Sequence, residues 1–293
     1  MTPGSLRERL GDAVFRRVAG ADGEAERARI HGTPGPRWFT QDSAIARVHG
    51  DASMFVGGLR AVLLQTLHPA AMTAVAEHSG YQGDLWGRLA RTSTFIATTT
   101  FGPDEHAQRA IDVVRAVHRR VVGTLPDGTP YAADDPHLLR WVHVAEVESF
   151  LLAHQVYGLR PLDAAGRDAY VAEAGLVGAR LGVLEPPRTE AALAADLAAF
   201  RPELRAVPAA HEALRHLRHE APLPLPGRPA YAALWLAAID LLPAWARAEL
   251  RLRDHPWLAR RAGHAATRAV RWALTPGQRR TRRLEQVTRS WES

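Results

Sequence analysis

Ile111-Asp-Val-Val-Arg-Ala-Val-His118-Arg-Arg-Val-Val-Gly123 is the stretch from which the fold reads. Ile111, Val114, His118 and Val121 recur at spacings of three and four, which sets them on one face of an α-helix. That face is expected to be buried. An imidazole on it loses water and needs a hydrogen-bond partner or a metal, and neutral imidazole is the commonest protein metal ligand. Position alone favours a core histidine bonded to a backbone carbonyl.

The pattern around this stretch is helix after helix. Alanine, leucine and arginine, all strong helix formers, dominate the chain, and strand-like alternation is hard to find. Breaks are expected at Gly32-Thr-Pro34-Gly-Pro36, Phe101-Gly-Pro103, Pro126-Asp-Gly128-Thr-Pro130, Pro186-Pro187 and Pro222-Leu-Pro-Leu-Pro226-Gly227. No repeat of 20–50 residues is apparent. The expectation is an all-α fold, one compact multi-helix domain. Residues 1–40 form an N-terminal helix and loop, 41–255 the helical core, and 256–293 a basic amphipathic helix and tail packed on that core.

Composition narrows the chemistry. The 293 residues are 46% hydrophobic, enough for a sizeable core. There is no cysteine, which excludes disulfides, iron–sulfur clusters, thiolate-ligated haem and covalent haem attachment. Arg7, Glu8, Arg9, Asp12, Arg16 and Arg17 interrupt every apolar run near the start, so no signal peptide is expected. The most apolar stretch, Tyr231 to Ala246, contains Asp240 and Pro243 and falls short of the roughly 20 residues of a membrane span. It reads as a buried helix and its exit, in a cytoplasmic protein.

The net charge of +6 lies at one end of the chain. Residues 260–293 hold nine of the 37 basic residues and two of the 31 acids, leaving 28 against 29 elsewhere. Trp257, Leu258, Ala265, Ala269, Val270, Ala273 and Leu274 form an apolar stripe there, expected to dock on the protein's own body with arginines opposite. A weak contact with an anionic membrane surface is one alternative, and nucleic-acid binding by a helical regulator is another. Nothing resembles a nucleic-acid module, so no nucleic-acid partner is expected.

One helix before His118, Arg88, Arg91, Thr92 and Phe95 share a face at the same spacings. Two guanidinium groups and a hydroxyl suit an anionic ligand: arginine forks match carboxylates such as haem propionates, and the hydroxyl can bond an oxygen species or a water. A solvated charged face has the same spacing. In a simple antiparallel hairpin around Phe101-Gly-Pro103, Thr92 and His118 would be offset by about 9 Å along the axes.

Gly57-Gly58-Leu-Arg60-Ala-Val-Leu-Leu-Gln65-Thr-Leu-His68-Pro69, Arg88-Leu-Ala-Arg91-Thr92, Phe101-Gly102 and His118-Arg-Arg-Val-Val-Gly123 together resemble the rubber oxygenase (latex clearing protein) and MpaB-type oxygenase family. The likeness continues through Asp135-Pro136-His-Leu-Leu139-Arg-Trp141-Val-His143, Tyr157-Gly158, Pro161-Leu162 and Leu181-Gly182-Val183, and fades to Leu241-Leu242-Pro243-Ala-Trp-Ala-Arg247.

The resemblance implies an all-helical fold around one non-covalent haem b, with His118 as proximal iron ligand. Arg88, Arg91 and Thr92 would lie on the distal side, binding the cofactor, with Arg91 and Thr92 as catalytic groups. The implied partners are O2 and a small, apolar, isoprenoid-like or natural-product substrate. A non-catalytic haem carrier or sensor is the alternative that the same pocket would serve.

Two departures from the family matter. Rubber oxygenases carry a lysine at the position of Arg91 that can occupy the sixth iron site, whereas this chain has no lysine and a guanidinium has no lone pair to give. Their distal glutamate has no obvious match, since Glu77 lies too close to Arg88.

Other groups are read structurally. His143 and Glu146 share a helix face, a spacing that fits a histidine oriented by a carboxylate, and His143 is assigned to the core. His68 precedes Pro69, where a helix ends or kinks, and serves as a capping or distal-pocket group. Gly57 and Gly58 each cost a helix about 1 kcal/mol relative to alanine. Either a ligand or another helix approaches them closely, or the helix starts at Leu59. Serine-hydrolase elbows, dinucleotide-binding turns, phosphate loops, di-iron Glu-x-x-His pairs and His-Glu-x-x-His zinc sites are absent.

Overall fold

The computed structural model describes residues 23–78, 81–219, 227–253 and 255–274, with backbone alone for 81–86. Its helices are α1 (Gly23–Gly32), α2 (Ala44–His49), α3 (Met54–Gln65), α4 (Pro69–His78), α5 (Tyr81–Phe101), α6 (Asp104–His118), α7 (Pro136–Tyr157), α8 (Ala164–Leu181), α9 (Glu190–Ala199), α10 (Pro208–His219), α11 (Arg228–Asp240), α12 (Ala244–Glu249) and α13 (Pro256–Leu274). A short hairpin, β1 (Val122–Thr124) and β2 (Pro130–Ala132), separates α6 from α7. The all-α expectation holds, and the breaks at 32–36, 101–103, 126–130 and 186–187 fall between elements. The readings of the first 22 residues, of the arginine-rich end beyond 274 and of most of the Pro222–Gly227 loop lie outside the described residues.

The organising element is α7. Asp135 accepts a hydrogen bond from the His137 amide at its start, and Pro136 occupies the first turn, where a missing N–H is harmless. Its 22 residues carry two buried faces. Leu138, Trp141, Ala145 and Ala153 join a core made with α3, α4, α10 and α11. Val144, Val147, Phe150 and Leu151 join a second core made with α2 and α8.

Among the described elements the most extensive contact is α3 against α7. Gly57 permits it, because a Cβ there would stand 3.0 Å from the Phe150 ring and 3.2 Å from the Ser149 carbonyl oxygen. At Gly58 a Cβ would meet nothing within 4 Å. The helix starts at Met54, so the glycines lie inside it, and a neighbouring helix accounts for Gly57 alone. Three residues on, Arg60 is 1% exposed and donates from Nε to the Leu241 carbonyl at 2.8 Å. Its Nη1 donates to Ser149 Oγ at 2.7 Å and to the Glu148 carboxylate. One buried cation thereby ties α3, α7 and the end of α11 together.

Two local readings change. Helix α6 ends at His118, and the chain turns through Arg119-Arg120 into β1, so Val121 does not continue the face of Ile111 and Val114. The reason is local: β-branched Val121-Val122 and Gly123 weaken a helix, and the Ala133 amide bonds the Val121 carbonyl to extend the hairpin. Pro130 is tolerated in β2 because every strand of a two-stranded ribbon is an edge.

Helix α13 docks through a different stripe from the one expected. Ala259, Gly263, Ala266, Thr267 and Val270 face inward, while Trp257, Leu258, Ala265 and Ala269 lie outside. Gly263 decides this, since a Cβ there would sit 2.7 Å from the Tyr157 ring and 2.8 Å from Ala237 Cβ. Small side chains let α13 approach α11 and α7 closely, a gain that outweighs burying larger residues at a greater distance.

The two adjacent glycines predict opposite outcomes in denaturant melts. Gly57→Ala should destabilise by about 1–3 kcal/mol through overpacking, and Gly58→Ala should be neutral or stabilise by up to about 1 kcal/mol. Equal effects would contradict the packing described.

Candidate functional site

Helices α2, α5, α6, α7 and α8 enclose a narrow slot whose walls are mostly apolar: Ile45, Phe95, Ile96, Val142, Val147, Phe150, Ala174 and Val177. Six polar side chains interrupt them: His49, Thr99, His118, His143, Glu146 and Tyr170. Open space in the slot is about 90 Å³, roughly three water molecules' worth. A flat cofactor would enter only as facing side chains move apart.

His118 reaches the slot as the last residue of α6. Its Nδ1 is buried and has no hydrogen-bond partner. Burial, and secondarily the positive charge of Arg88, hold its pKa below the ordinary value, against a weaker opposing pull from Asp134. The ring is therefore neutral at pH 7 and keeps a lone pair.

Arg88 stands near His118 because of chain geometry. It lies thirteen residues before the end of α5 at Phe101, and His118 fifteen after Pro103, so the two differ by only about 3 Å along the helix axes. Burial, and then the neighbouring charge of Arg91, lower its pKa. Among the described residues its guanidinium has no hydrogen bond or ion pair. A half-buried guanidinium without a counter-ion is costly unless an anion joins it.

Thr92 and Arg91 are placed differently. Both are exposed, and neither lines the slot. Thr92 Oγ1 donates to the Arg88 carbonyl at 3.1 Å, one turn back along its own helix. Of the four expected site residues, the structure brings together His118 and Arg88. None of Arg88, Arg91 and Thr92 lines the slot itself.

The sequence reading missed much of what fills the slot. His143, assigned to the core, lines it with Nε2 buried and unpartnered. Its ring lies against α8 where Gly178 leaves room, a Cβ there coming within 2.8 Å of His143 Cε1 and Nδ1. Burial, reinforced by Arg140 and opposed by Asp196, takes its pKa to about 4.

Glu146, one turn further along, has no hydrogen bond or ion pair among the described residues. Its carboxyl touches the slot's free space yet sits deep among apolar neighbours, and the second fact dominates: burial raises its pKa to about 7. Tyr170 is fully buried. Burial, and then the Glu146 charge, hold its phenol well above the ordinary value.

His49 Nε2 lies 3.4 Å from that phenol, and its Nδ1 is 2.8 Å from Thr100 Oγ1. Burial, with a smaller contribution from His154, takes the His49 pKa to about 3. The His143–Glu146 spacing was visible in the sequence, but His49 and Tyr170 meet across 121 residues and left no local signal.

Two other candidates lie outside the slot. Tyr131 donates its hydroxyl to Glu77 at 2.6 Å, tying the hairpin to α4. His68 occupies the break between α3 and α4, tilted over Trp141 with ring centroids 6.2 Å apart and outside the slot. Among the described residues no group of three His, Asp or Glu side chains could hold a metal ion by itself.

A family model described as "ER-bound oxygenase mpaB/B'/Rubber oxygenase, catalytic domain" matches residues 46–273, well over half of the chain. No curated protein and no solved structure matches significantly.

The slot's titrating groups predict two opposite pH effects on stability. His143 and His49 have folded pKa values of about 4 and about 3, below the 6.5 of an unfolded chain. The unfolded chain therefore binds more protons below about pH 6.5, and stability falls as acid is added through that window. Glu146 runs the other way. Its folded value of about 7 exceeds its model value of 4.5, so wild type loses stability as pH rises between them. Glu146→Gln should melt higher than wild type above about pH 7, with the gap shrinking towards about pH 4.5. A gap independent of pH would show that Glu146 is solvated.

Proposed function

The chain belongs to the mpaB and rubber oxygenase catalytic-domain family, and from that membership and the slot's unpartnered donors we propose a cytoplasmic oxygenase that uses haem b. The observation that carries the reading is the buried, partnerless Nδ1 of a neutral His118 in the slot, with Arg88 near enough to lower its pKa and the Arg88 guanidinium in no ion pair among the described residues.

The donor set fits this group. One imidazole suits an iron whose equatorial ligands come from its own macrocycle, and the chain has no thiolate to compete. His118 would be the proximal ligand. Arg88 would bind a propionate carboxylate by charge-assisted hydrogen bonds. Arg91 and Thr92 enter the proposal as exposed groups about one helical turn or less from Arg88, on the side where a propionate held by Arg88 would lie. Haem iron would supply the oxygen activation expected of an oxygenase.

The remaining walls explain substrate class. Ile45, Phe95, Ile96, Val147 and Phe150 exclude water and favour a small apolar molecule. Glu146 is the group in the slot able to exchange a proton near neutral pH, since burial brings its pKa to about 7. The described residues include no helix long and apolar enough to cross a membrane.

Reconstitution with haem b tests the proposal. One haem per chain should bind with a Soret band that His118→Ala weakens or shifts and free imidazole restores. Arg88→Leu should weaken haem binding about 10- to 100-fold while leaving the band position unchanged, as expected for loss of a charge-assisted contact of 1.5–3 kcal/mol. Oxygen consumption dependent on an apolar substrate separates an oxygenase from a haem carrier. No stoichiometric haem, with His118→Ala indistinguishable from wild type, would refute the reading.

A further inference from the structure

The slot holds three imidazoles, His49, His118 and His143, and the fold treats them differently. His49 has both ring nitrogens engaged, Nδ1 2.8 Å from Thr100 Oγ1 and Nε2 3.4 Å from the Tyr170 hydroxyl. His118 and His143 each keep a buried nitrogen without a hydrogen-bond partner, Nδ1 in the first and Nε2 in the second. Burial is the main cause that lowers both pKa values, so each ring is neutral at pH 7 and carries a lone pair.

The two rings come from different walls. His118 is the last residue of α6, whereas His143 lies well inside α7, one turn before Glu146. Trp141, Val144 and Ala145 beside His143 are buried, so the stretch of backbone that carries it is held firmly. On the slot side α8 gives way to the ring. Gly178 leaves the space, because a Cβ there would stand 2.8 Å from His143 Cε1 and Nδ1. Helix packing thus fixes an imidazole in place and leaves its Nε2 with nothing to bond, a costly arrangement unless a ligand completes it.

Two nitrogens do not hold a bare metal ion, and among the described residues no third His, Asp or Glu completes such a site. They do suit an iron whose other four ligands come from its own macrocycle. On the haem reading of the site, on which this inference rests, we propose that His143 is the second axial ligand, holding the sixth iron position through Nε2 while His118 holds the fifth. Tyr170 is a poorer candidate because burial keeps its phenol protonated. Glu146 offers an oxygen, which binds haem iron more weakly than an imidazole does. His143 then acts as a gate. A small gas takes the sixth position only after the iron–Nε2 bond breaks and the ring withdraws, an exchange of ligands with no change of oxidation state.

Absorbance and electron paramagnetic resonance spectra of the full-length chain loaded with ferric haem b test this without any turnover. Wild type should be six-coordinate and low-spin. His143→Gln should bind haem at the same stoichiometry yet become mostly high-spin, and added imidazole should return it to low-spin. In the ferrous state His143→Gln should bind carbon monoxide at least about tenfold faster than wild type, because no ring has to leave first.

The wild-type spin state is read without any substitution. If His143→Gln folds poorly, His143→Met replaces it, and its thioether should keep the iron low-spin with a shifted Soret band. A high-spin wild type overturns the proposal, as does a low-spin spectrum that neither substitution alters. Haem bound in either of those states leaves the haem reading standing, whereas the lack of any stoichiometric haem removes both.

Discussion

A helix pair holds the molecule together: α3 lies on α7 because Gly57 has no side chain and Arg60 finds three acceptors, two on α7 and one at the end of α11. Removing one partner of a buried ion pair typically costs about 3–5 kcal/mol, because the other charge is left without water. Arg60 therefore specifies position more than it adds stability. Once α3 has taken one face of α7, the face carrying Leu139, Val142, His143, Glu146 and Val147 is left for α2, α5, α6 and α8 to cover. The slot follows from that division of a single helix.

That division leaves a deficit where the slot forms. Native proteins leave few buried polar atoms without partners, yet His118 Nδ1 and His143 Nε2 are both orphaned here. Among the described residues, Glu146 in the slot and the Arg88 guanidinium near His118 have no ion pair. Their pKa directions agree on the cause. Burial disfavours every charged form, lowering the histidines and Arg88 and raising Glu146. Such clusters mark functional sites more often than structural ones, and a haem with its iron and carboxylates would satisfy His118 and Arg88 together. The same logic separates Glu77, whose carboxylate is already engaged by Tyr131.

Local pattern carried the fold. Helix positions, the glycine and proline breaks and the His118 face followed from spacing and from residues with fixed backbone preferences. What spacing could not show was which of two apolar stripes would be chosen or which distant residues would meet. On α13, Trp257 and Leu258 looked like the docking face, but Gly263 and two alanines allow closer contact and win the inward side. His49 and Tyr170 became neighbours only through tertiary packing. On α5, of the expected Arg88, Arg91 and Thr92, only Arg88 is held near His118, and the other two are exposed. The hairpin after His118 was missed because three-residue strands carry too little alternation to be seen.

The central claim is that the slot between α5 and α8 is a haem site ligated by His118. Titrating haem b into the purified chain while recording the absorbance spectrum tests it most directly. The account predicts saturation at one haem per chain, with a Soret band of a histidine-ligated iron. A titration that shows only the broad, non-saturating absorbance of free haem would contradict it.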